Sequence, residues 1–318
     1  MNASGLITGL WIDSNNLSHG FERTADGTFT TFDAPQAGKR PGQGTLPQSA
    51  NAAGAIVGLY YDPHNVTHGF VRSASGMIAT FPCRRATNAP VGGGAAMIIN
   101  TAGIATGYCA DSKGVFHGFV RTATGQPVKF SAPNAGTAAG QGTFGSSIND
   151  LATVAGFYVD GSNVYHGLWI ANGTMSTLDV AGAGTAAGQG TYASAINLGG
   201  AIAGSYTDSN NITHGFLRDA SGIVTTFDAP GAGTGAGQGT IPGFINAAGA
   251  IAGTYVDSGS LTHGFTRASD GTISEFDCQD SGSGPYQGTW AFGINDAGMV
   301  TGFCIDTNSV WHGFLLTP

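Results

Sequence analysis

Charge is what this chain lacks most. Only 9% of its 318 residues are charged, against about 25% in an ordinary soluble domain. Glutamate occurs only as Glu22 and Glu275, so paired carboxylates would have to come from aspartate. The cations are eight arginines and three lysines, with no run longer than Arg84-Arg85. Nucleic-acid binding through phosphate neutralisation therefore has no support. No stretch approaches the ~18 apolar residues of a membrane-spanning helix. Glycine is abundant, at 54 residues, but without the strict three-residue period of collagen. No Gly-x-Ser-x-Gly elbow, phosphate loop or His-Glu-x-x-His motif occurs. No catalytic residue, cofactor or metal site is indicated. What remains is 41% hydrophobic and 10% aromatic, enough to bury a core. The glycine and β-branched content excludes a helical bundle.

The chain is a repeat. His-Gly-Phe, once His-Gly-Leu, occurs seven times, at His19, His68, His117, His166, His214, His263 and His312, with spacings of 48 or 49 residues. An aspartate precedes each histidine by six residues: Asp13, Asp62, Asp111, Asp160, Asp208, Asp257 and Asp306. A glycine precedes each by ten residues, and an asparagine by about seventeen, from Asn2 to Asn295. Alternation within each unit predicts four short strands separated by turns, as in Ala250–Tyr255 and His263–Arg267. Four antiparallel strands in about 49 residues is the arithmetic of a propeller blade. The expected fold is all-β: one β-propeller domain over residues 1–318 with seven blades, or six blades plus an extra hairpin. The length amounts to about six and a half repeats. The chain is thus expected to begin after a first strand and end after a third.

The series Ile-Asn-x-x-Gly-x-Ile-x-Gly, His-Gly-Phe-x-Arg and a Gly-x-Gly-Thr linker resembles the HAF-type bacterial extracellular repeats. Here glycine replaces the alanine of His-Ala-Phe, and arginine usually replaces a tryptophan, as in a variant branch. The resemblance spans nearly the whole chain and implies export and a propeller-like fold. It carries over no catalytic residue. Met1-Asn2-Ala3-Ser4-Gly5 runs straight into repeat sequence, so export implies a leader absent from this chain.

The four cysteines are Cys83, Cys109, Cys278 and Cys304, and both 83/109 and 278/304 are 26 residues apart. Two repeats carry the same pair at the same two positions, which predicts disulfides Cys83–Cys109 and Cys278–Cys304. Zinc would call for Cys-x-x-Cys spacing, which is absent. Disulfides point to an extracellular or periplasmic location.

Alternating strand direction gathers the linkers and the Asp-His hairpins on one face, the default binding face. A five-residue hairpin loop would place each aspartate directly opposite its histidine, giving a structural cross-strand pair in every repeat. The Gly-Gln-Gly-Thr linkers present Gln43, Gln141, Gln189, Gln238 and Gln287. An amide both donates and accepts, so these side chains suit sugar hydroxyls or a backbone cap on the neighbouring repeat, and the residues leave both open. Arg84 and Arg85, with Lys39 and Arg40, are basic departures from the pattern and further candidates for ligand contact. The expected function is a secreted, non-enzymatic repeat protein that binds a glycan or cell-surface polymer at repeated sites. The alternatives are a hydrolase or lyase at a channel mouth, and a structural envelope protein.

Overall fold

A computed structural model describes residues 1–81, 93–284 and 287–318. Among them every regular element is a strand, and no helix is long and apolar enough to cross a membrane. The first repeat contributes β1 (Ile7–Ile12), β2 (Ser18–Arg23) and β3 (Phe29–Phe32). Four-stranded sets follow. These are β4 (Gly44–Ala50), β5 (Ile56–Tyr61), β6 (Thr67–Arg72), β7 (Ile78–Phe81); then β8 (Gly94–Ile99), β9 (Ala105–Ala110), β10 (Phe116–Arg121), β11 (Val128–Phe130). Next come β12 (Gly142–Ile148), β13 (Val154–Val159), β14 (Tyr165–Ala171), β15 (Thr174–Leu178); then β16 (Gly190–Ile196), β17 (Ile202–Thr207), β18 (Thr213–Arg218), β19 (Val224–Phe227). The last full set is β20 (Gly239–Ile245), β21 (Ile251–Val256), β22 (Thr262–Arg267), β23 (Ile273–Phe276), and the chain ends with β24 (Gly288–Ile294), β25 (Val300–Ile305) and β26 (Trp311–Leu316).

Two compact units divide at β13: Met1–Val154 with Tyr158–Gly161, and Ala155–Phe157 with Ser162–Pro318. Both are built alike. The strands of a set pair antiparallel in sequence order, as in β16–β17, β17–β18 and β18–β19. The third strand also touches the first strand of the next set through one parallel bridge, such as Thr213↔Gly239. The second glycine of the linker makes that bridge possible. Gly44, Gly190 and Gly239 have φ near +115° to +119°, and a Cβ there would collide with the facing carbonyl, for instance that of Ser18 on Gly44.

The core repeats with the sequence. The phenylalanine of His-Gly-Phe is fully buried at Phe70, Phe119, Phe216 and Phe265. It meets the fourth-strand aromatic of the preceding repeat edge-on, as in Phe32–Phe70 and Phe227–Phe265, both 6.2 Å between centroids. The arginine two residues later lies over that same ring, Arg72 over Phe32 at 4.7 Å and Arg267 over Phe227 at 4.8 Å. Arg72 also holds Glu22 through two bonds of 2.7 and 3.0 Å.

The period-49 asparagines form a relay. Asn51 Nδ2 donates to the Asn100 carbonyl and Asn100 to that of Asn149; in the other unit Asn197 donates to Asn246 and Asn246 to Asn295. Each Oδ1 also accepts from the backbone four residues on, as Asn246 does from Ala250. Asn295, the last in the series, keeps its bond from Met299, while its buried Nδ2 has no partner among the described residues. The linker threonines Thr45, Thr143, Thr191, Thr240 and Thr289 are fully buried, and each accepts an N–H from the preceding linker segment.

Cys278 and Cys304 are bonded, with Cα atoms 6.1 Å apart, joining the linker before β24 to β25. Cys109 is buried in β9, and its expected partner Cys83 lies outside the described residues.

Candidate functional site

The repeated polar residues are internal fasteners. The hairpin loop has the expected five residues but starts one residue earlier, so His263 faces Tyr255, two residues before Asp257, which lies inside the loop. The same register puts Tyr60 opposite His68 and Tyr206 opposite His214. The partner moves by two residues, so the side chains keep to the same face of the sheet. The cause is local. Asp257 Oδ1 accepts the N–H groups of Gly259 and Leu261, and Ser260 takes a left-handed backbone with φ 66°, so the aspartate is the first residue of the turn. Asp13, Asp62, Asp111, Asp208 and Asp306 accept in the same way.

From the loop the aspartate still reaches the imidazole. Nε2 to Oδ2 is 3.1 Å for His68–Asp62, 3.2 Å for His312–Asp306 and 3.5 Å for His117–Asp111 and His263–Asp257. It lengthens to 3.8 Å for His19–Asp13 and His214–Asp208. A second acid, not picked out from the sequence, sits at Nδ1. Asp33 is 2.9 Å from His19, Asp179 3.0 Å from His166, Asp228 2.9 Å from His214 and Asp277 3.0 Å from His263. Ser131 takes that place at His117. The signal was available, as an aspartate fourteen residues after His19, His214 and His263 and thirteen after His166, but it follows a strand and reads as a turn residue. The rings of His19, His68, His214 and His263 also stack on a cross-strand aromatic, as in Tyr255–His263 at 4.9 Å and Trp11–His19 at 4.4 Å, while His117 and His312 face Cys109 and Cys304.

The electrostatics follow from these bonds. The Leu17 and Val310 N–H groups, foremost, hold the Asp13 and Asp306 carboxyls below the usual carboxylate range. At Asp257 partial burial pushes upward, and the Leu261 N–H, His263 and the Gly259 N–H outweigh it. The Tyr255 phenol is pushed up to about 12 by burial and by Glu275, Asp277 and Asp257.

The linker glutamines take the capping role. Gln43, Gln141 and Gln189 are buried, and Oε1 of Gln43 accepts the Arg40 N–H, that of Gln189 the Ala186 N–H. Gln141, Gln238 and Gln287 accept likewise from Ala138, Gly235 and Gly284. Their Nε2 groups donate to the next hairpin tip: Gln43 to Asn65, Gln141 to the Gly161 carbonyl, Gln189 to Asn211 and Gln238 to the Ser258 carbonyl. These bonds take up one acceptor site of each of the five amides and one donor hydrogen of Gln43, Gln141, Gln189 and Gln238. Lys39 and Arg40 are exposed, and Arg84 and Arg85 lie outside the described residues.

The concave site lies where the repeats differ. Three positions vary together: the residue before each histidine, the residue nine before it, and the third residue of the following inner strand. In the first unit one such set is Tyr108, Phe116 and Phe144, with centroids 4.6–5.4 Å apart. In the second unit Phe157, Tyr165 and Tyr192 form another, with Phe157–Tyr192 at 4.1 Å. One repeat later the first two positions are Ser205 and Thr213. Ser205 faces Tyr192 across β16–β17. The volume that two rings would fill is a cleft of about 380 Å³. Tyr165 and Tyr192 wall one side and Ile241 the other, with Ser205, Thr207 and Thr213 between. Ser194 also lines it, from the β-bulge between Ala193 and Ala195. The lining has no carboxylate, amine or imidazole; it offers aromatic faces and hydroxyls. Nothing in the sequence singles these positions out, because their meaning depends on the neighbouring repeat.

No protein-family model matches the chain, and no curated protein matches its sequence. Solved structures do. The BP39L lectin from Burkholderia pseudomallei superposes with a TM-score of 0.58 at 10% identity, covering 99% of this chain and 93% of the lectin. The β-propeller domain of the trilobed protease from Pyrococcus furiosus gives 0.55 at 8% identity, covering 98% of this chain and 89% of that domain. Puromycin hydrolase gives 0.58 at 11% identity, with 99% of this chain on 51% of the hydrolase. A lectin, a protease domain and a hydrolase share no single activity, so the likeness speaks for architecture. The fold is that of the β-propellers.

Proposed function

We propose that this protein is an exported carbohydrate-binding β-propeller whose ligand site is the cleft of the second unit. One observation carries the reading: the cleft has two tyrosine rings on one wall, hydroxyls along its floor and no charge. An aromatic face takes the apolar C–H face of a sugar ring, and Ser and Thr hydroxyls both donate and accept, as sugar hydroxyls require. The volume, about 380 Å³, is at the small end of ligand pockets and suits one sugar ring. The architecture shared with a lectin supports the reading, and the Cys278–Cys304 disulfide supports an oxidising compartment. A hydrolytic reading needs an acid and a base at the reacting bond, and the lining supplies neither.

A glycan array followed by titration calorimetry tests the proposal. We expect binding of neutral sugars, weakened about tenfold or more in Tyr192→Ala. Absence of binding across neutral mono- and oligosaccharides would overturn it.

A further inference from the structure

The cleft is one bay of a longer surface. Its apolar wall Ile241 stands at the third position of β20, where β16 has Tyr192 and β24 has Trp290. These inner strands are neighbours in the second unit. Hydroxyls alternate with them: Ser205 and Thr213 after Tyr192, then Thr254 and Thr262 after Ile241. Thr254 faces Ile241 across β20–β21 just as Ser205 faces Tyr192. Beyond Trp290 the pattern turns aromatic. Trp290 stacks on Phe303 at 5.0 Å, and Phe303 on Trp311 at 4.5 Å with an interplanar angle of 11°. Phe292, from the bulge between Ala291 and Gly293, stacks on Phe303 at 5.5 Å. Trp311 is 56% exposed and Phe292 54%, the most open large aromatics of this unit.

We propose that the second unit carries an extended groove for a neutral oligosaccharide. The chain enters the cleft at Tyr192 and crosses β20, and a distal sugar rests on the Trp290–Phe303–Trp311 stack. This rests on the carbohydrate reading and extends it from one ring to a chain. Three features select this occupant. Apolar walls alternate with hydroxyl floors, as apolar faces alternate with hydroxyl edges along a glycan. No charged side chain stands among these positions, which disfavours uronic or sialic acids. The cleft alone has room for about one ring, yet the lining continues past Ile241.

Calorimetry on the full chain with β-1,4-glucan, α-1,4-glucan and β-1,4-mannan series of one to six units tests this. Affinity for the bound series is expected to rise about tenfold from one sugar to four. Trp311→Thr installs the residue that the two preceding repeats carry at this position, Thr213 and Thr262, so the fold should accept it. That variant should lose the gain with chain length and keep the single-sugar affinity, while Trp311→Phe should retain most of the gain. Tyr192→Ala should weaken every length equally. Single-sugar binding with no gain on lengthening, or a gain that survives Trp311→Thr, would overturn the groove and leave the carbohydrate reading standing. Failure of every series to bind would overturn the carbohydrate reading and the groove with it.

Discussion

Two interfaces between consecutive repeats are built from the same three positions and end differently. In the first unit Tyr108, Phe116 and Phe144 bring three rings together and fill the space with aromatic packing. In the second, the three positions are Ser205, Thr213 and Ile241, and beside Tyr192 of the preceding set the space is a cleft lined by rings and hydroxyls. Everything else around the two sites is held in common: the asparagine relay, the buried linker threonine, the glutamine cap and the aspartate turn. The repeat therefore separates two duties. Residues that recur hold the repeats to one another, and residues that vary decide whether an interface is filled or open.

The comparison can be pressed from both sides. The largest effect should come from emptying the filled interface. Tyr108→Ser with Phe116→Thr removes two packed rings and should cost about 4 kcal/mol, read from urea melts; the same melts should find Tyr192→Ala far milder. Next is the crosslink present in the second unit. Cys278→Ser with Cys304→Ser opens a 26-residue loop and should lower stability by about 3 kcal/mol, with reductant lowering the parent by at least as much, since Cys109 is also without a free thiol. The shared relay should behave alike in both regions. Asn51→Ala and Asn246→Ala each remove a buried bond of 3.0 Å to the next repeat and should each cost about 2 kcal/mol; a large disparity would break the claim that the fastening is common.

Smallest is the acid response. The Asp13 and Asp306 carboxyls are held low in the folded chain, chiefly by the Leu17 and Val310 N–H groups. The unfolded chain therefore takes up protons first as pH falls. The contribution of these turns is complete above the ordinary carboxylate range and fades as pH drops through the lowered folded values. Thermal melts between neutral pH and pH 3 should show that decline, and Asp306→Asn should flatten it slightly.

Much of this was legible in the sequence. The period of His-Gly-Phe dictated the strands, because a glycine beside a buried phenylalanine alternates as a sheet requires. Two cysteine pairs at equal spacing singled out Cys278–Cys304. The role of Gln189 was not legible, because a buried cap and an exposed sugar contact read alike in one chain. Nor was the register: Asp257 as a turn's first residue or a strand's last differs by a single position, decided by the left-handed backbone at Ser260. The cleft was hidden for another reason. It is made by what Ser205 and Thr213 leave unfilled beside Tyr192, and only the pairing of β16 with β17 and of β17 with β18 brings those residues together.

The most direct test converts the open interface into the filled one. Ser205→Phe with Thr213→Tyr gives the second unit the ring pair that Phe157 and Tyr165 supply one repeat earlier. Titration of this variant with the best neutral sugar should show binding reduced about a hundredfold or more, while its melting temperature stays at or above that of the parent. Undiminished binding in a folded variant would contradict the account, because the ligand would then lie outside the cleft.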